Sequence, residues 1–167
     1  MPLLHIILKS TKLISMKKLT ATFCLTIAML FGSAGLSESA DFQKGLNALQ
    51  KKDYATALRE WKPLAEQGHA PAQSGLGTMY FQGAGVSKDY KTAVKWFRLA
   101  AEQGHLLAQA NLGWIHYKGI GVSQNHKIAL KYHRLLLKND AANKKQKDLA
   151  RGYIKNSEQE LKRLKGK

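Results

Sequence analysis

Histidine is the side chain in this sequence with the widest chemical use, because a neutral imidazole binds metals and transfers protons near neutral pH. Five histidines lie beyond residue 40: His69, His105, His116, His126 and His133. The sequence contains no H-E-x-x-H motif and no cluster of cysteine and histidine around them. His69 and His105 each follow a glycine that we expect to end a helix. We therefore interpret them as helix-boundary residues, and we predict no metal site and no cofactor.

Two Gly-x-Gly sequences, Gly83-x-Gly85 and Gly119-x-Gly121, could in principle cradle a phosphate. A phosphate loop of the P-loop kind follows a strand and contains Gly-Lys followed by Ser or Thr. Here each pair follows an expected helix, and the sequence has no Gly-Lys-Ser or Gly-Lys-Thr. We therefore predict loops that join two helices. No pattern indicates a nucleophile with its base, so we predict no catalytic residue and no enzyme.

The first 40 residues differ from the remainder. Met16 and two lysines precede an uncharged run over residues 19–37, which ends in small residues. This order is typical of a secretory signal, so we predict a signal peptide over 1–40, with Met16 as an alternative start, and a periplasmic or secreted protein. The run of 19 residues is also near the lower limit for a membrane span, so an uncleaved inner-membrane anchor is the alternative. The only cysteine, Cys24, lies within the run, so we expect no disulfide in residues 41–167.

The chain is strongly basic, with 27 Lys and Arg against 11 Asp and Glu and a formal net charge of +16. Residues 138–167 alone contain ten of the basic and four of the acidic residues. Such a field attracts anionic partners over about 8 Å at physiological salt. The partner could be a membrane surface, an acidic protein or an envelope polysaccharide, and the alternative is a solvated basic cap. Nucleic acid is not favoured as a partner, because export removes the protein from most nucleic acid.

A segment of 36 residues occurs twice in succession. The sequence AEQGH at residues 65–69 returns at residues 101–105, and both Leu-Gly and Gly-x-Gly return at the same offset. A fixed period of this size is typical of stacked repeats, in which neighbouring units complete each other's core. The repeated motif comprises Leu76, Gly77, Tyr80, Gly83, Gly85, Asp89, Ala93, Trp96 and Gly104 in the second unit, and Leu112, Gly113, Gly119 and Gly121 in the third.

Each unit is predicted to be a pair of antiparallel helices. In the second unit the first helix runs from about Ala70 to Gln82, and the second begins after an N-cap at Asp89. The first unit is shorter and starts near Phe42. We predict helical repeats over 41–139, followed by a basic capping helix or tail over 140–167. That last segment could be one helix or a helix pair broken near Gly152.

Gly77 and Gly113 interrupt two helices at equivalent positions, where glycine costs about 1 kcal/mol relative to alanine. We infer a packing reason, namely that the second helix of each pair approaches closely there. The sequence predicts that Trp96, Phe97 and Tyr132 cover the gaps.

This motif resembles the Sel1-like repeat, a relative of the tetratricopeptide repeat, over about residues 53–139. The resemblance implies an all-α, right-handed α-solenoid of antiparallel helix pairs that acts as a protein-interaction adaptor, often in bacterial envelopes. The third unit departs from the pattern, with His116 in place of tyrosine and Asn125 in place of aspartate. A secreted, cysteine-rich branch of the family is associated with β-lactam binding or hydrolysis. This chain lacks its cysteine pairs, so such a hydrolase is the least favoured alternative.

The concave side of the first helices is the expected binding surface. Six side chains are predicted to turn towards this groove: Thr78, Phe81, Gln82, Trp114, Tyr117 and Lys118. The alternative is that Trp114 and Tyr117 pack under the C-terminal helix. The resulting hypothesis is a non-enzymatic scaffold that binds a protein or peptide in the groove. Its rival is binding to anionic lipid or polysaccharide through the basic C-terminal region.

Overall fold

The computed structural model describes residues 39–166, and the predicted signal peptide lies almost wholly outside this range. Seven helices and no strand form the regular structure of these residues. The helices are α1 (residues 39–50), α2 (Tyr54–Glu66), α3 (Ala70–Gln82), α4 (Tyr90–Glu102), α5 (Leu106–Lys118), α6 (His126–Lys138) and α7 (Lys144–Lys165). Among them, no helix combines the length and the apolar character that crossing a membrane requires.

Residues Phe42–Lys167 form one compact unit. Within it α2 packs on α3, α3 on α4, α4 on α5, and so on to α7, which packs mainly on α6. Three helix pairs, α1–α2, α3–α4 and α5–α6, are therefore stacked in chain order and closed by a seventh helix. The predicted all-α solenoid of antiparallel pairs is confirmed.

The helices begin and end at the residues that the repeat motif supplies. Asp53, Asp89 and Asn125 are the N-caps of α2, α4 and α6, and each accepts a hydrogen bond from a backbone N–H of the first turn. At the other end of the first helices, Gly83 and Gly119 have φ values of 75° and 72°. Glycine adopts this left-handed conformation cheaply, and its N–H then bonds the carbonyl of the residue four positions before it.

The hydrophobic core consists of three clusters along the stack. One surrounds Trp61, the second surrounds Phe97, and the third lies around Leu136 under the last helix. Trp61 is 2 % exposed, and its indole Nε1–H donates to the carbonyl oxygen of Phe42 at 3.2 Å. Each cluster draws residues from successive helices, so each unit is completed by its neighbours.

The C-terminal segment is a single helix, α7, which passes through Gly152 without a break. Asn143 and Gln146 form a capping box at its start. Ala150 and Ser157, two turns apart, are the buried residues of the face that packs on the stack. The structure therefore has the predicted capping helix and not the alternative, a helix pair broken near Gly152.

Candidate functional site

Two glycines in the first helices set how closely each helix pair can approach. A Cβ atom on Gly77 would lie 2.7 Å from ring carbons of Phe97, and one on Gly113 would lie 2.6 Å from Nε2 of His133. Real Cβ atoms do not approach other atoms this closely. The close approach of the second helix that we inferred at these glycines is therefore observed. Phe97, which was predicted to do so, covers Gly77. His133, which was not among the three predicted residues, covers Gly113.

Trp96 and Tyr132, which were also predicted to cover the glycines, lie elsewhere. Trp96 packs against the cluster around Trp61, and Tyr132 belongs to the cluster around Phe97. Each neighbours the covering residue in sequence, and adjacent helical residues point about 100° apart. The prediction for these two side chains was therefore wrong by one position along the helix.

The second glycine of each Gly-x-Gly loop contacts the preceding unit. A Cβ on Gly85 would lie 2.3 Å from Cβ of Tyr54, and one on Gly121 would lie 2.1 Å from Cβ of Tyr90. Both tyrosines begin the second helix of the unit before. The loops therefore serve the stacking of units, which accounts for their glycines without a phosphate.

Buried glutamines add polar contacts within and between units. Gln73 donates to the carbonyl oxygen of Ala65 at 3.0 Å and accepts from Gln103 at 2.8 Å. One repeat later, Asn139 donates to Oε1 of Gln109 at 3.3 Å. Asn139 is 36 residues after Gln103, so the repeat offset was a signal that could have identified this pairing from the sequence.

Four of the six predicted groove residues lie together. Thr78, Phe81, Gln82 and Trp114 line a cavity of about 150 Å³, which is completed by Phe97, Asn111 and Ile115. The rings of Phe81 and Trp114 meet edge to face, with centroids 6.0 Å apart. The cavity therefore lies between α3 and α5, with α4 beneath it.

A second and larger cavity of about 270 Å³ adjoins the first. It lies between α5, α6 and α7, and its lining residues are Ala110, Asn111, Trp114, His133, Leu136, Gln146, Leu149, Ala150 and Tyr153. Trp114 and Asn111 line both cavities. We call the two cavities together the Trp114 groove. Its walls are apolar and aromatic, with polar amides at Asn111, Gln82 and Gln146.

The other two predicted groove residues are directed elsewhere. Tyr117 packs against Tyr153 of α7, with ring centroids 5.0 Å apart, and meets His126 at 5.7 Å. Nζ of Lys118 lies 5.4 Å from the centre of the Tyr117 ring. For Tyr117 the alternative reading, packing under the C-terminal helix, is therefore the observed one. Trp114, three residues before it, borders the groove.

His133 is a residue of the groove that the sequence reasoning did not select. Its ring is 2 % exposed and stacks on Tyr153, with centroids 4.9 Å apart. Burial lowers the pKa of His133 from 6.5 to about 4, against a smaller opposing effect of the Ala129 carbonyl. The imidazole is therefore neutral at pH 7 and acts as an aromatic filler in the place that Phe97 holds one unit earlier.

Two of the remaining histidines are N-caps. Nδ1 of His69 accepts a hydrogen bond from the N–H of Ala72 at 3.2 Å and so caps α3, whereas His105, at the N-cap of α5, forms no side-chain cap hydrogen bond. Burial lowers the pKa of both His105 and His116. Across residues 39–166, no three His, Cys, Asp or Glu side chains are grouped closely enough to hold a metal ion.

Comparison with known proteins identifies the repeat. Residues 70–105 and 106–139 each match the Sel1 repeat, and these ranges are the pairs α3–α4 and α5–α6. No curated protein matches the chain.

Two solved structures are similar to it. A Sel1 repeat protein from Oxalobacter formigenes is 34% identical with a TM-score of 0.61, over 65% of this chain and 46% of that one. A protective antigen of uropathogenic Escherichia coli strains, which displays an SLR fold, is 33% identical with a TM-score of 0.59, over 66% of this chain and 25% of that one. The chain therefore spans less than half the length of either protein. Within its stacked helix pairs, this chain therefore contains two Sel1 repeats, over residues 70–105 and 106–139.

Proposed function

We propose that the protein is a non-enzymatic scaffold that binds a peptide segment of a protein partner in the Trp114 groove. The Sel1 repeat fold is consistent with a protein-interaction scaffold. The proposal of peptide binding rests on the position of Trp114, which borders both cavities and is only partly buried. Partly exposed tryptophans in apolar pockets are frequent anchors of protein interfaces.

The form of the groove favours an apolar anchor side chain on the partner. The larger cavity holds about 270 Å³ between the ring of Trp114 and the side chains of Leu136, Leu149 and Tyr153. Amides at its rim, Asn111 among them, can bond the backbone of a bound segment. Because stacked helices hold these side chains before binding, little conformational entropy is lost when the partner arrives.

We further propose a periplasmic or secreted location, with residues 1–40 removed. The support is the uncharged run at 19–37 after two lysines. An inner-membrane anchor formed by the same segment is the alternative. Mass determination of the protein recovered from an envelope fraction distinguishes the two, because cleavage removes the N-terminal mass.

The test is capture of partners from envelope extract on immobilised residues 41–167 at low and high salt. The expected result is a partner that stays bound at high salt and is lost with Trp114→Ala. Leu107→Ala is the matched control, since Leu107 lies on the same helix and is 57 % exposed. Equal capture by wild type and Trp114→Ala would refute groove binding. Loss of every partner at high salt, in both proteins alike, would instead favour the basic C-terminal region as an anionic-surface binder.

A further inference from the structure

The outer side of the second helices carries basic residues at the repeat period. Six of them occupy three equivalent pairs of positions on α4 and α6: Lys91 and Lys127, Lys95 and Lys131, Arg98 and Arg134. All six are exposed, and none lines the Trp114 groove. Within each helix they are spaced by four and then three residues, so they share one face. We call these six residues the outer basic face.

The two helices that carry this face share a buried cluster. Tyr132 of α6 packs there with Phe97 and Ala101 of α4, and its ring lies 5.4 Å from Nζ of Lys131. On α6 the row borders a shallow groove of about 470 Å³ that extends to Lys138. Lys138 takes the position that Glu102 holds on α4, so the positive charge increases towards the third unit.

Few acidic side chains neutralise this face. Arg134 pairs with Glu158 at 2.8 Å, and this is the one of the six for which the described residues give an ion pair. On α7, by contrast, Arg151 pairs with Asp148, and Arg163 pairs with Glu160. Positive charge without an ion pair therefore lies on α4 and α6 as well as in the C-terminal region.

Exposed leucines flank the basic residues. Leu99 and Leu135 are equivalent positions, each directly after the arginine of its row, and they are 44 % and 37 % exposed. A hydrated polyanion such as a polysaccharide gains little from an exposed leucine. At a bilayer surface, however, lysine and arginine meet anionic headgroups while leucine enters the acyl boundary.

We propose that the outer basic face binds the surface of an anionic lipid bilayer. The partner is identified by its chemistry, namely phosphate headgroups with an apolar layer just below them. Binding at this face leaves the Trp114 groove free, so the scaffold could hold a peptide and a membrane at the same time.

The experiment is vesicle flotation at physiological salt. Residues 41–167 are used because Phe42–Lys167 form a compact unit with its own clusters of buried residues, and circular dichroism first verifies that each variant is helical. The vesicles contain equimolar phosphatidylglycerol and phosphatidylcholine, or phosphatidylcholine alone. The expected result is flotation with the anionic vesicles only.

Charge reversal locates the contact. The double variant Lys127→Glu, Lys131→Glu is expected to weaken binding by about 30-fold or more, because each lysine near an anionic surface contributes measurably. The control variant Lys155→Glu, Lys162→Glu changes the net charge equally at two exposed lysines of α7. We expect a loss of no more than about threefold for the control, since screening limits its effect. Equal losses in the two double variants would overturn the proposal in favour of net charge alone.

Leucine replacement separates a bilayer from a soluble polyanion. Leu135→Ser is expected to weaken vesicle binding by roughly threefold to tenfold, whereas Leu107→Ser, at an exposed leucine of α5, leaves it unchanged. Vesicle binding that is insensitive to Leu135→Ser, together with equally tight binding of polyphosphate, would overturn the lipid assignment. Absence of flotation with anionic vesicles would overturn it as well.

Discussion

In the second helical unit a phenylalanine, Phe97, packs over Gly77, and in the third a histidine, His133, packs over Gly113 at the same place. The backbones follow one template, with αL glycines and N-caps at the same offsets. A second exchange lies at the surface, where Trp114 takes the position of Thr78. The shared glycines and caps hold the fold, whereas Trp114 and His133, which border the groove, differ from their equivalents in the second unit.

This difference suggests where function resides in the chain. The second unit keeps the repeat motif, and its Leu76, Gly77 and Ala93 are buried, so these residues are explained by packing. The third unit departs from the motif at His116 and Asn125 and carries Trp114, His133 and Lys138 where the second has Thr78, Phe97 and Glu102. Under the proposed function, the third unit with α7 over it therefore supplies most of the groove.

The largest expected effect is on the second unit. Phe97 is 1 % exposed in the middle of its cluster, so Phe97→Ala should lower the free energy of unfolding by about 3–5 kcal/mol. Urea unfolding followed by circular dichroism measures the change. Leu99→Ala, two residues on and 44 % exposed, is the control and should cost far less. Similar costs for the two variants would contradict the assignment of Phe97 to the core.

Acid should distinguish the third unit from the second. The folded-state pKa of His133 is about 4, below its ordinary value of 6.5, so the unfolded chain takes up the proton first. Stability due to this group is full above about pH 6.5 and is lost as the pH falls towards about 4, by on the order of 2–3 kcal/mol. The His133→Phe variant, which copies the second unit, should show a smaller loss over this range. Identical pH profiles for wild type and variant would show that His133 is not buried in the neutral form.

The glycines should respond alike in both units. Gly77→Leu and Gly113→Leu should each destabilise by roughly 1–3 kcal/mol, because a side chain there meets Phe97 or His133. Gly152→Ala is the matched control, since Gly152 is exposed on α7 and a Cβ there would meet nothing within 4 Å. It should stabilise by about 0.5–1 kcal/mol. Unchanged melting temperatures for the two leucine variants would contradict the close helix approach.

The helices themselves could be predicted from the sequence, and the reason is local. Gly83 and Asp89 are explicit stop and start signals, so the predicted range Ala70–Gln82 equals the observed α3. Because the motif repeats after 36 residues, the same helix bounds could be predicted for the third unit. The resemblance to the Sel1 repeat, noted from the same residues, is confirmed by the comparisons.

The side chains around the site were harder to predict. Whether Tyr117 faces the groove or α7 depends on how α7 docks, and the repeat spacing does not contain that information. His133 was not assigned to the gap over Gly113, although its offset of 36 from Phe97 identifies its place. The cavities follow from the packing of three helices, which no single helix pattern describes.

The most direct test of the account is to give the third unit the groove residue of the second. Trp114→Thr places at residue 114 the side chain that Thr78 supplies one repeat earlier, and its melting temperature serves as the check on folding. Capture from envelope extract at high salt is then measured beside wild type. We predict a folded protein that no longer retains the partner. Retention of the same partner by folded Trp114→Thr would contradict the claim that the third unit binds through the Trp114 groove.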